Sequence, residues 1–180
     1  MRTKLAAREV KWHVSTSAST EVSPEFFSAS SFPEQVLRAT PSIDYIEYTG
    51  ENTYTATVTQ TSFPLVTLTP KMTFEINVSE PAADKIITSV KLIDQQMEAT
   101  GPSFATRIIL AASRGVQTES TTTFELSDTT LTASAFVNIT MKIPRWVPIP
   151  TKTIQSGGQT SMEKQVTSDL QSTISALSTK

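Results

Sequence analysis

The chain holds one histidine and no cysteine among its 180 residues, which narrows the chemistry open to it. Thiolate metal sites, disulfides and cysteine nucleophiles are excluded. His13 would need a second imidazole, a thiolate or an activated hydroxyl to build a metal centre or a triad. No second His or Cys exists, and His13 falls on the polar face of the first strand, opposite Trp12, so it is expected at an exposed or edge position. Asp94 and Glu98 stand four apart in a strand-like run and share a face if that strand is regular. Such a pair could serve general acid–base catalysis. With Lys91 beside them, both are expected on the wet face, and Glu75 likewise points outward. Gly157-Gly158 lacks the preceding strand and following lysine that a phosphate loop requires; it reads as a weak joint inside a helix. Asn77-Val-Ser79 and Asn138-Ile-Thr140 match glycosylation acceptors but fall inside predicted strands. Arg145-Trp146 sets a cation beside an aromatic in a proline-rich link. It could touch a ligand headgroup, a membrane surface or a protein partner, or Trp146 could pack under the start of the next helix. No metal site and no cofactor is predicted.

These residues must be positioned by a few elements. The net charge is −2 with both signs interspersed, so no nucleic-acid footprint is expected. No run of about 18 apolar residues could span a membrane as a helix. Residues 1–7 are basic without an apolar core. They read as a solvated tail or a targeting remnant rather than a secretory signal, and 8–178 as one domain. Val10, Trp12 and Val14 alternate with Lys11, His13 and Ser15, predicting a half-buried first strand. Phe26, Phe27, Val36 and Leu37 surround Pro33, predicting two short helices over about 24–31 and 33–39. Strands follow at Ile43–Thr49, from Asn52 through Val58, and at Met72–Val78. Phe63-Pro64 and Pro70 bracket an irregular or edge segment. Pro81–Asp84 turns the chain into a long strand from Lys85 to Met97. Its apolar phase shifts partway, the mark of a bulge or of two-sided burial. Gly101-Pro102 turns again, and Phe104, Ile108 and Leu110 read as strand to Ser113. Residues 114–127 read as loop or strand extension with Phe124 and Leu126 tucking back. Leu131 to Ile143 alternates without a break. The final helix carries Met162, Val166, Leu170, Ile174 and Leu177 on one stripe.

The predicted fold is α+β: a curved antiparallel sheet of about six to seven strands wrapped on a long C-terminal helix, with two short helices after the first strand. That order resembles the helix-grip superfamily, which includes START lipid-transfer domains, polyketide cyclases and birch-pollen-type allergens. Phe26-Phe27, the run Val36 through Ile43, the link Ile143-Pro144 through Pro150, and Gly157-Gly158 are similar to an uncharacterised branch from cyanobacteria and plastid-bearing eukaryotes. The resemblance spans roughly residues 8–178 and implies a plastid stroma or cytoplasmic setting.

The leading functional expectation is non-catalytic binding of a hydrophobic small molecule, a lipid or pigment, between sheet and helix. Its expected lining is Phe74, Ile76, Val90, Leu92, Val137, Ile139, Met162, Val166 and Leu170, with Arg145 and Trp146 as a partner or membrane contact. The alternative is a structural or assembly subunit docking on a larger complex, for example a photosynthetic one. A third reading is a cyclase- or hydrolase-like enzyme using Asp94 or Glu98.

Overall fold

A computed structural model describes residues 7–23, 32–62, 67–82, 85–143 and 150–178. In chain order the elements are β1 (Arg8–Glu21), α1 (Phe32–Ala39), β2 (Ile43–Gly50), β3 (Thr53–Val58), β4 (Thr61–Ser62), β5 (Thr67–Ala82) and β6 (Lys85–Thr100). Then come α2 (Ser103–Ser113), β7 (Val116–Ser127), β8 (Thr130–Ile143) and α3 (Thr151–Ser178). The strands form one antiparallel sheet in the order β1-β8-β7-β6-β5-β3-β2, with β4 a short addition beside β5. This curved sheet with its long C-terminal helix is the helix-grip fold. Of the two short helices expected after β1, the second is α1; the first lies outside the described residues, as does the second half of the turn Pro81–Asp84.

Turn chemistry sets the hairpins. Gly50, Glu51 and Asn52 all take positive φ (105°, 49° and 62°) between β2 and β3. Two positive values at the central pair give a turn whose twist matches the strands, and asparagine tolerates it best. Asp128 takes φ 55° between β7 and β8. Pro70 lies inside β5, where its missing N–H is harmless: it falls at the joint where the outer neighbour of β5 changes from β3 to β4.

The core sits between the concave sheet face and the C-terminal half of α3. Phe32 of α1 and Phe124 of β7 meet edge-to-face at 6.1 Å, and Leu131, Ala133, Leu170, Ile174 and Leu177 close around them. Truncating one of these leucines to alanine should cost about 2–5 kcal/mol. Thr173 reaches back to Asp169 O at 2.8 Å and across to Thr40 Oγ1 at 3.4 Å, joining α3 to the end of α1.

One element differs from the sequence expectation, and one resolves to the strand alternative. Residues 103–113 form α2, not a strand. The carbonyl of Pro102 accepts from the N–H groups of Ala105 and Thr106 (3.0 and 3.1 Å), which starts the helix. Three alanines supply helix propensity, and the β-branched isoleucines that suggested a strand are outvoted. Residues 116–127 are a full strand, β7, with Phe124 and Leu126 buried as expected. The phase shift in β6 is a bulge: Thr73 faces Asp94 but Phe74 faces Leu92, so Ile93 is the extra residue.

Candidate functional site

The first half of α3 is held at one side of the sheet. It runs along β1, the edge strand. Gln159 Oε1 accepts from His13 N–H at 3.2 Å, and Gln159 Nε2 donates to His13 O at 2.6 Å. One side-chain amide thus satisfies both backbone groups of His13, as a neighbouring strand would. One turn earlier, Gln155 Nε2 donates to Lys11 O at 3.5 Å. Trp12 Nε1 donates to the carbonyl of Gln155 at 2.9 Å. Its indole lies under Gly158, where an added Cβ would fall 2.5 Å from Cε2 and 2.7 Å from Cζ2. α3 is continuous through both glycines, which lie inside the helix as expected, and Gly158 is where helix and indole touch.

Because α3 is held at the edge in its first half and on the core in its second, it spans the concave face and leaves a cavity beneath. An inner lobe of about 190 Å³ and an outer lobe of about 560 Å³ share Met72, Phe74, Ser120, Val137, Val166 and Asp169 as walls. Val90 and Leu170 line the inner lobe. Leu92, Ile139 and Met162 line the outer one, together with Trp12. Ile76 lies apart from both lobes, 3% exposed in the core cluster. Arg145 and Trp146 lie outside the described residues.

The polar groups of the cavity were not singled out from sequence. Thr118, Ser120 and Thr122 alternate along β7 and turn their face to the cavity, continuing the phase of buried Phe124. Opposite them stands Asp169 of α3. Gln165 Nε2 donates to its Oδ1 at 2.8 Å, and no cation pairs with it among the described residues. The signal was present: Asp169 lies one residue before Leu170 and three after Val166, inside the apolar stripe. The bulge at Ile93 also resets β6, turning Gln95 into the outer lobe.

The other residues considered for chemistry lie elsewhere. His13 is exposed and meets Phe136 edge-on at 5.0 Å. Asp94 accepts from Gln96 Nε2 at 3.1 Å on an exposed face, and Glu98 pairs with Lys71 at 2.6 Å. Burial pushes the Tyr54 phenol above its ordinary value, with neighbouring Tyr48 and Glu34 adding to the effect. No group of three or more His, Cys, Asp or Glu that could hold a metal occurs among the described residues, and no described helix is long and apolar enough to cross a membrane.

No protein-family model and no curated protein sequence matches the chain. Solved structures do. The TTHA0849 protein of Thermus thermophilus aligns with a TM-score of 0.50 at 10% identity, covering 94% of this chain and 97% of that one. Ara h 8.0201 aligns at a TM-score of 0.41 and 14% identity, covering 94% and 99%. Norcoclaurine synthase from Thalictrum flavum aligns at 0.41 and 13%, covering 89% and 86%. The likeness to the Thermus protein is one of fold.

Proposed function

We propose that this chain is a non-catalytic binding protein that holds a hydrophobic small molecule, of lipid or pigment size, between the sheet and α3. The observation that carries this reading is the two-lobed cavity. Its walls are mostly apolar side chains from β5, β6, β8 and α3, with a few convergent polar groups, the usual make-up of a ligand site. The polar strip on β7 and the carboxylate of Asp169 face each other across it. The ligand class that suits them is an amphiphile whose hydroxyl or amine donates to Asp169 while its apolar body lies against Phe74, Val137 and Val166. The sequence resemblance carried by Val36 through Ile43 and by the proline-rich link supports a source among cyanobacteria or plastid-bearing eukaryotes, with a stromal or cytoplasmic setting.

The test is native mass spectrometry of gently purified protein, paired with titration of the fluorescent apolar probe anilinonaphthalene sulfonate. Expected is a bound mass of lipid or pigment size and saturable probe binding. Val166→Trp, which fills the wall common to both lobes, should weaken probe binding at least about tenfold, or ~1.4 kcal/mol. A bare mass with unsaturable probe signal would overturn the reading. Tyr45 and Tyr48, 62% and 61% exposed on edge strand β2, favour a second reading as an assembly subunit. A bare protein held in a larger, for example photosynthetic, complex would move the conclusion there.

A further inference from the structure

β6 and β7 pair only from Lys85↔Ser127 to Lys91↔Thr121. From Leu92, just ahead of the bulge at Ile93, they part, although β6 continues to Thr100 and β7 begins at Val116. The gap between them is a slit of about 690 Å³ bounded by Leu92–Met97, the end of α2, and Val116–Thr118. Leu92, Gln95 and Thr118 border both this slit and the outer lobe of the cavity. The sheet therefore opens beside the cavity where the inserted helix α2 bridges the two strands.

α2 has the make-up of an interfacial helix. Phe104, 62% exposed, shares an outward stripe with Arg107 and Ala111, and Arg114 extends it just past the helix end; all are exposed. No acidic residue occurs between Glu98 and Glu119. Two more cations stand at the same end of the molecule. Lys142 N–H donates to the Gly115 carbonyl at 3.1 Å, and Lys152 lies in the first turn of α3. None of these four cations has a carboxylate partner among the described residues. Of the nearby acids, Glu9 pairs with Lys11 and Glu98 with Lys71. Among the described residues, Asp94 and Glu119 accept only from the amides of Gln96 and Asn138 and keep their charge, so four unpaired cations stand against two carboxylates. A chain of net charge −2 thus presents a cationic end around an exposed aromatic. Apolar side chains flanked by Arg and Lys bind anionic lipid surfaces through both burial and charge.

We propose that α2, with the adjoining ends of β6 and β7, docks this protein on an anionic lipid membrane, and that the slit is the route by which a lipid passes between bilayer and cavity. The docking stands on the helix and its charges. The passage rests on the binding reading above.

The experiment is co-sedimentation with vesicles of phosphatidylcholine alone and of phosphatidylcholine mixed with phosphatidylserine. Binding is expected to the mixed vesicles only, and to fall as salt rises. Arg107→Glu with Arg114→Glu should weaken it at least about tenfold, and Phe104→Ala, at an exposed position that does not threaten folding, should weaken it as well. No binding to the mixed vesicles would overturn the proposal. So would equal binding by the charge-reversed variant, or retention of α2 by a protein partner in place of lipid. Probe titration without vesicles separates the two readings. Arg107→Glu should bind the probe like the parent, so lost vesicle binding with intact probe binding belongs to the docking face alone. Vesicle binding by a protein that takes up no probe would leave docking standing and remove the passage.

Discussion

Gly157 and Gly158 are neighbours in α3 with opposite surroundings. Around Gly157 an added Cβ meets nothing within 4 Å, whereas at Gly158 it meets the indole of Trp12. Gly157→Ala should therefore raise stability by up to about 1 kcal/mol, through helix propensity alone. Gly158→Ala should lower it by about 1–3 kcal/mol, because the indole must shift and its bond to Gln155 must stretch or break. Urea unfolding of the two variants reads the difference directly, and equal effects would refute the contact. The sequence showed two glycines in a helical run and no more. Their asymmetry depends on a tryptophan at the far end of the chain, and such a pairing leaves no local pattern. The same holds for Asp169. Its position inside the apolar stripe was visible, but its role as the cavity carboxylate depends on how far the helix stands off the sheet.

Elements that bury one face were readable, because alternation records which side is dry. β8 runs from Leu131 to Ile143 without a break in phase, and the stripe of α3 keeps its helical spacing. Even the bulge left a trace, since one extra residue flips every side chain after it. α2 was misread because a short apolar run with isoleucines fits a strand as well as a helix. Pro102 before it and Gly115 after it were the available punctuation. The parting of β6 from β7 was invisible, since strand pairing is not encoded in either strand alone. The union of α3 with β1 makes its own prediction. Gln159→Ala removes both bonds to His13, at a cost of about 1 kcal/mol at this exposed site. It also bares a strand edge, the usual template for unwanted pairing. Light scattering on warming should show earlier aggregation than in the parent, while a variant at exposed Lys164 should not. Identical scattering by Gln159→Ala and the parent would mean the glutamine does not guard the edge.

Taken whole, the molecule is a sheet with its core packed at one end and its cavity left open at the other. A ligand that binds only the folded state adds to stability in proportion to the logarithm of its excess, about 2.7 kcal/mol at a hundredfold excess over Kd. For a chain of this size that amounts to a rise in Tm of roughly 5–10 °C. Calorimetry with the co-purifying ligand should show that shift in the parent and little of it in Val166→Trp. A shift of equal size in both would place the ligand outside the cavity. The clasp between Trp12 and Gln155 joins residues 143 positions apart. Its consequence is temporal. During synthesis the edge of β1 emerges well before its cover, so that edge stays open while the residues between Trp12 and Gln155 are made. Contacts of such long separation form slowly, and an uncovered edge invites pairing with other chains in the interval.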